Sequence, residues 1–361
     1  MVTGGGTGGH VLPGLAVARE LHARGHSVVF VGTARGLETR LVPDAGFPLH
    51  LLRVGALKGV PVLRRLQTLA ELPLAFLEAG QILDHEHAAA VFSMGGYSSG
   101  PVTLMAWAKG IPVVILEPNA HPGFAHRLIG PFVTRALLGF VQAARFFPSG
   151  RSEVTGIPIR QEFFRIGPKS HEPPFTVLIT GGSQGSHRLN TAATESLLYF
   201  EKAGWLDRII FLHQTGEKEY NDVCSQYQEH HARAEVAPFL TDMPGAFARA
   251  DVVVCRSGAS TVAELAAAGR AALLVPFPFA ADQHQLRNAQ AMEQAGAAVL
   301  VRDRELNGHR FFQEVFGMLA SPGRLMALEQ AARSLARPGA AGRAADVLEQ
   351  AAGHRLSSHV F

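Results

Sequence analysis

Cysteine is nearly absent from this chain, with Cys224 and Cys255 the only two in 361 residues. That excludes a disulfide framework, and with no CxxC or Cys/His spacing it also excludes a structural zinc site; the usage fits a reducing compartment. No uninterrupted apolar run reaches the ~20 residues that a membrane-spanning helix needs, and no signal peptide precedes the first strand, so a cytoplasmic protein is expected. Charge is sparse as well. Asp, Glu, Lys and Arg make up 17% of the chain and the net charge is +3, which gives no reason to expect a nucleic-acid partner. The imbalance is uneven: residues 1–160 carry 14 Lys/Arg against 9 Asp/Glu, and the remainder 19 against 21. A mildly basic front half suits phosphates or an anionic membrane, and equally an ordinary solvated surface.

What the chain has is apolar side chain, 47% of it, enough for two domains of ordinary size. Short apolar runs alternate with helical patterns. SVVFVG (27–32), AAVFSMGG (89–96) and PVVIL (112–116) read as strands buried on both faces, and VLPGLAVARELHARG (11–25) as a helix stopped by Gly25. Residues 147–174 read as a linker, after which the scheme restarts with FTVLITGGSQGSHRLN (175–190), RIIFLHQTG (208–216), ADVVVCRSGAS (250–260) and AALLVPFP (271–278). Each half opens with a strand and a glycine-rich turn. The expected fold is therefore α/β, two Rossmann-like domains with parallel sheets facing across a cleft. The Ala/Arg-rich tail (322–353) is helical by pattern.

The chain begins MVTGGGTGGH, with glycine at positions 4, 5, 6, 8 and 9. Gly4, Gly6 and Gly9 satisfy GxGxxG, but the second strand ends Phe30-Val31-Gly32-Thr33 with no acid until Glu38, so the ribose-holding residue of a dinucleotide site is missing. No Gly-Lys-Ser/Thr follows either glycine turn, which removes the P-loop reading. What remains is a loop that lets backbone amides approach an anion at a helix N-terminus. His10 follows in the first helical turn, either as a cap or as a general base kept neutral by the positive helix end. In ADVVVCRSGASTVAEL (250–265), Ser260 and Thr261 open a helix that can cap itself or hold a diphosphate, with Glu264 complementing the dipole or taking two ribose hydroxyls. Downstream, Asp282, His284, Gln285 and Asn288 follow another strand end, where a parallel sheet binds ligands.

In order along the chain, TGGGTGGHVLPGLAVA, MGGYSSGP, EPNAHPG, TGIPIR, ITGGSQGS, HQTG, PFLTDM, CRSGASTVAEL and DQHQLRNA closely resemble the MurG family. These are the N-acetylglucosaminyltransferases that convert lipid I to lipid II in bacterial peptidoglycan synthesis. The resemblance implies the GT-B glycosyltransferase architecture, with an acceptor- and membrane-facing domain at 1–157, a UDP-GlcNAc domain at 158–339 and a helix at about 340–355 packing back on the first. It implies donor contacts from Thr7, Gly8, Gly9, Asn119, Arg160, Ser183, Leu240, Ala259, Ser260, Thr261, Val262, Ala263, Glu264, His284 and Gln285. Acceptor contacts would come from Gly5, Gly6, Gly95, Gly96, Tyr97 and Ser98, and the catalytic group from His10, Glu117 and Asn119.

The chain departs from the family's usual HEQN at Leu116-Glu117-Pro118-Asn119 and from GNPVR at Gly156-Ile157-Pro158-Ile159-Arg160. Only Met1-Val2-Thr3 precede the glycines, a first strand short enough to suggest an earlier natural start. Rival readings are another GT-B enzyme, acting on a glycolipid or as a UDP-GlcNAc 2-epimerase, and a nucleotide-sugar sensor.

An inverting transfer needs a base for the attacking hydroxyl and a counter-charge for the departing diphosphate. No Asp-x-Asp occurs, so no metal or other cofactor is expected and the helix dipole takes that place. His10 is the preferred base over Glu117. The cluster Asp84–His87 reads as a solvated helix end and not a metal site. Residues 58–77, with Lys58, Arg64, Arg65 and apolar Leu63, Leu66, Leu69, Leu72, Leu74, Phe76 and Leu77, form either a buried helix broken at Pro73 or a surface for anionic lipid. The expected place is peripheral, on the cytoplasmic side of the plasma membrane, with other cell-wall synthesis proteins as further partners.

Overall fold

The computed structural model describes residues 1–5, 8–34, 36–55, 62–96 and 98–358. The chain divides into two compact units, Met1–Ile159 with Gly339–Phe361, and Arg160–Pro338.

The first unit runs β1 (Val2–Thr3), α1 (Gly8–Ala23), β2 (Phe30–Thr33), α2 (Glu38–Asp44), β3 (Leu49–Leu52), α3 (Val62–His85), β4 (Val91–Ser93), α4 (Ser99–Ala108), β5 (Val113–Glu117), α5 (Phe124–Ile129), β6 (Arg135–Leu138) and β7 (Ser152–Val154). Its seven strands form one sheet in the order β3-β2-β1-β4-β5-β6-β7, and every pairing is parallel. β5 is buried at all five positions, as the unbroken apolar run predicts for a strand covered on both faces. The expected linker at 147–174 is shorter than its Pro/Gly content suggests, because Ser152–Val154 pairs with β6 and finishes the sheet. Pro73 does not break α3, which runs 24 residues through it. Proline costs the helix one backbone hydrogen bond there, and the turns on either side persist. His85 closes α3, with Asp84 paired to Lys109 Nζ at 2.8 Å and Glu86 to His50 at 2.8 Å, a helix end as expected.

The second unit runs β8 (Phe175–Thr180), α6 (His187–Lys202), β9 (Ile209–Gln214), α7 (Tyr220–Glu229), β10 (Ala234–Ala237), α8 (Met243–Arg249), β11 (Val252–Cys255), α9 (Ala259–Ala268), β12 (Ala271–Leu274), α10 (His284–Gln294), β13 (Val299–Leu300), α11 (Gly308–Leu319) and α12 (Pro322–Ser334). Its parallel sheet has the order β10-β9-β8-β11-β12-β13. The core on one face of this sheet joins Val177, Ile179, Phe211, Val252, Val254 and Leu273 to α6 and α11 through Leu197, Phe200 and Phe311. Helix ends are set locally. Ser186 caps α6 by accepting from Leu189 N–H, Asn307 caps α11, and Gly269 at φ 56° ends α9.

The helical tail is two helices. Gly339, at φ 77°, separates α12 from α13 (Ala340–Ser358). α13 returns to the first unit, where Ala344, Val347, Leu348 and Ala351 enter the core of Val11, Leu15, Ala18 and Phe30. Arg24 Nη1 meets Asp346 Oδ1 at 2.7 Å and Glu349 Oε2 at 3.0 Å, and Arg343 grips both oxygens of Glu153 at 2.7 and 2.8 Å. Such exposed pairs orient more than they stabilise. The apolar contacts hold the helix, at ~1.5–3 kcal/mol for each large side chain fully buried.

Candidate functional site

In each sheet the strand order reverses once, between β1 and β4 in the first unit and between β8 and β11 in the second. Loops that leave the C-terminal ends of the two strands at such a switch point diverge to opposite faces and leave a crevice. The four glycine-bearing stretches singled out from the sequence start at these four strand ends: Gly4 after β1, Met94 after β4, Gly181 after β8 and Arg256 after β11.

The two loops of the first unit touch through their backbones. Gly96, at φ 90°, lies so close to Gly5 that a Cβ on it would stand 2.8 Å from the Gly5 carbonyl oxygen. Gly4, at φ 151°, abuts Met94 in the same way, with 2.6 Å between an added Cβ and the Met94 Cβ. Only glycine tolerates both the positive φ and this approach. Ser98 follows at the N-terminus of α4. It is fully buried, and its Oγ has no hydrogen-bond partner. His10 is half-buried in the first turn of α1, and its Nε2 lies 3.8 Å from the place a Gly95 Cβ would take. Gly6, Thr7 and Tyr97 lie outside the described residues, as do Lys58 and the side chains of Arg64 and Arg65.

Glu117 ends β5 as a buried carboxylate with four donors. Oε1 accepts from Asn119 N–H at 2.9 Å and from Asn119 Nδ2 at 3.1 Å; Oε2 accepts from Gly123 N–H at 3.2 Å and from His126 Nδ1 at 2.8 Å. Burial pushes its pKa up, but the hydrogen bond and charge of His126, with the donors of Asn119, outweigh that and hold it below the ordinary carboxylate range. A carboxylate so satisfied is a poor proton acceptor. It is suited to anchoring the 117–126 loop.

Glu38 carries a second surprise. It starts α2, yet its side chain reaches back to the end of β2, where Oε1 accepts from Thr33 N–H at 3.0 Å and Thr33 Oγ1 at 2.9 Å. An acid thus does reach the C-terminal end of β2, but it is buried and bonded to the strand's own end.

In the second unit, α9 begins at Ala259 with Gly258 as its N-cap and no side-chain cap. Ser260 is therefore inside the first turn and not the cap that its residue type suggested. An uncapped N-terminus leaves the amides of its first turn facing outward, the arrangement that accepts phosphate. Val262 is turned into the core and its N–H already meets the Gly258 carbonyl at 3.0 Å; Ala263 is half-buried. Glu264 is one turn on, its pKa raised to about 7 by desolvation, with the charge of Arg160 pulling the other way. Arg160 is exposed and lies over the Phe163 ring. Ser183 is exposed on its loop.

α10 brings Gln285 beside this turn. Its Oε1 accepts from Phe277 N–H at 3.0 Å, its carbonyl from Ser257 Oγ at 2.8 Å, and the neighbouring His284 Nδ1 meets the Ala281 carbonyl at 2.6 Å. Leu240 N–H is engaged by Gln214 Oε1 at 2.9 Å.

Four residues that organise these loops were not singled out for this role from the sequence. Gln214 ties Leu240 to the 181–186 loop through Thr180 Oγ1 and the Gly182 carbonyl. Arg256 joins Ser186 Oγ to Asp303 and to the Val275 and Pro276 carbonyls. Glu38 and His126 are the others. HQTG and CRSG held Gln214 and Arg256 in plain view; nothing in the spacing of Glu117 and His126 marks them as a pair.

The glycosyltransferase family 28 N-terminal domain model matches residues 1–138 and the family's C-terminal domain model residues 176–346. The chain is 52% identical, over 98% of its length and 96% of the relative's, to a UDP-N-acetylglucosamine–N-acetylmuramyl-(pentapeptide) pyrophosphoryl-undecaprenol N-acetylglucosamine transferase of Solibacter usitatus. A relative of the same name in Myxococcus xanthus is 44% identical over 96% of this chain and 91% of its own. Among solved structures, the crystal structure of Acinetobacter baumannii MurG superposes with a TM-score of 0.81 at 30% identity, covering 97% of this chain and 98% of that one.

Proposed function

The chain belongs to glycosyltransferase family 28, and from that premise we infer that it moves N-acetylglucosamine from UDP-GlcNAc to lipid I, giving lipid II for peptidoglycan synthesis. The observation that carries this reading is near-full-length identity to relatives named for that transfer. The fold is the GT-B pair of Rossmann-like domains. An isomerase or glycolipid-transferase alternative is not favoured.

We assign the acceptor to the first unit. Gly5 and Gly6, Gly95 and Gly96, and the start of α4 at Ser98 suit its diphosphate through backbone amides. The second unit takes the nucleotide: amides of Ala259, Ser260 and Thr261 with Arg160 and Ser183 for the diphosphate, Glu264 for the ribose, Leu240 for the base, and His284 and Gln285 for sugar hydroxyls. Because Gln214 and Phe277 hold Leu240 N–H and Gln285 Oε1 in this structure, binding through those atoms requires exchanging these bonds.

The reaction is an inverting displacement. The C4 hydroxyl of MurNAc forms a bond to the anomeric carbon, the bond from that carbon to the β-phosphate oxygen breaks, the hydroxyl proton passes to His10, and UDP leaves against the α9 N-terminus. In this scheme main-chain dipoles neutralise the leaving group and no divalent ion is required. A peripheral seat on the cytoplasmic face of the membrane follows from a lipid-linked acceptor. No described helix is long and apolar enough to cross a bilayer, and α3 presents Leu74 and Leu77 at 61% and 63% exposure.

The test is product formation from UDP-GlcNAc with and without a lipid I analogue, in buffer containing EDTA. Lipid-linked disaccharide and UDP, formed only with acceptor present, are expected. Conversion of UDP-GlcNAc alone indicates an isomerase, and loss of all turnover on chelation overturns the metal-free scheme.

A further inference from the structure

His126 is buried and takes no part in the reaction as described. It stands on α5, with Nδ1 2.8 Å from Glu117 Oε2 and Nε2 3.5 Å from Ser93 Oγ at the end of β4. Ser93 Oγ in turn accepts from Gly95 N–H at 3.3 Å. The order Ser–His–Glu is that of a nucleophilic relay, but Ser93 is fully buried and cannot meet a substrate. The relay is therefore wiring, and its end is Gly95.

The surroundings of Gly95 say what the wiring does. A Cβ on Gly95 would stand 3.3 and 3.4 Å from His126 Cε1 and Nε2, and 3.8 Å from His10 Nε2. The two imidazoles thus approach one glycine, His126 braced by Glu117 and His10 carried by α1. A carboxylate behind an imidazole fixes both its orientation and its tautomer. With Nδ1 on Glu117, Nε2 faces the Ser93 hydroxyl, whose oxygen accepts from Gly95 N–H.

We propose that His126 is a positioning residue: it locks the turn from Ser93 to Gly95 to the Glu117 loop and seats Gly95 against His10, so that acceptor and base meet in register. This rests on the reading of His10 as base and of the 95–98 loop as acceptor contact. Nothing in it touches the second unit, so donor binding is an internal control.

The experiment compares His126→Ala, His126→Asn and Ser93→Ala with the wild-type chain, measuring kcat, KM for a lipid I analogue, UDP affinity and the thermal midpoint. Ser93→Ala keeps the imidazole in place and covers the case in which His126→Ala fails to fold. The expected result is a fall of tenfold or more in kcat/KM for the acceptor in His126→Ala. Ser93→Ala should show a smaller fall, His126→Asn partial rescue through its own donor to Glu117, and UDP affinity should stay within twofold throughout. Combining His126→Ala with Ser93→Ala should add little, since both break one chain. Acceptor kinetics within twofold of wild type in a folded His126→Ala or Ser93→Ala overturn the proposal, as does an equal loss of UDP affinity, which would mark a general loss of structure. Wild-type protein that makes no product refutes the transfer reading itself, a different outcome.

Discussion

The carboxylate of Glu38 occupies the space where a side chain on Gly5 would begin. The acid bonded to Thr33 at the end of β2 therefore forms the floor of the first glycine loop. Gly5→Ala should displace that floor or the loop above it, an overpacking that costs ~1–3 kcal/mol, and transfer should fall with it. Glu38→Ala in the same chain reopens the space, so the pair should show positive coupling in thermal midpoint and in kcat/KM for the acceptor. Simple additivity would mean that the contact is incidental.

His10→Ala removes the proposed base without disturbing the second unit. A fall in kcat of about 10²–10⁴ with unchanged UDP affinity is expected. Single-turnover transfer and a separate UDP titration measure the two terms, and near-normal kcat would reduce His10 to a cap.

Glu264, proposed to hold the ribose, should give donor binding a pH dependence. Its pKa is raised to about 7 by burial, and only the ionised carboxylate can accept hydrogen bonds from both ribose hydroxyls. UDP affinity should therefore fall as pH drops below about 7, with a limiting slope of about tenfold per unit, and Glu264→Gln should bind weakly with a flat profile. The linkage to folding has the opposite sign. A carboxyl whose pKa rises on folding contributes stability that is full below its unfolded value of 4.5 and lost as pH climbs through about 7. Calorimetry and UDP titration over pH 5–8 should thus move in opposite directions for this residue, and parallel trends would refute the assignment.

Leu74 and Leu77 face outward on α3. Leu74→Asp with Leu77→Asp should abolish much of the co-sedimentation with anionic liposomes while transfer to a soluble acceptor analogue stays intact. Unchanged co-sedimentation would assign this face to some other contact.

The architecture was legible because its causes are local. Unbroken β-branched runs such as Val252–Val254 can only be strands covered on both sides, and glycines after β1, β4, β8 and β11 mark the turns at the switch points. What escaped was set at a distance. The linker expected across 147–174 hid β7, three residues that become a strand only because β6 offers an unpaired edge. Ser260 looked like a cap because residue type says nothing of where the first helical dihedral falls; Gly258 takes that place. Glu117 was readable as a candidate base, since a lone carboxylate after a strand is indistinguishable in sequence from one saturated by Asn119, Gly123 and His126. Its donors come from a loop and a helix whose return depends on the whole fold.

The last helix carries a consequence for how the protein is made. α13 supplies Val347 and Leu348 to the core of the unit that begins at Met1, so the portion emerging first from the ribosome is completed last, after the whole intervening unit has been synthesised. A nascent chain waiting in that state keeps the apolar surface around Val11 and Leu15 uncovered, and premature termination after residue 338 would release the second unit joined to an unfinished first.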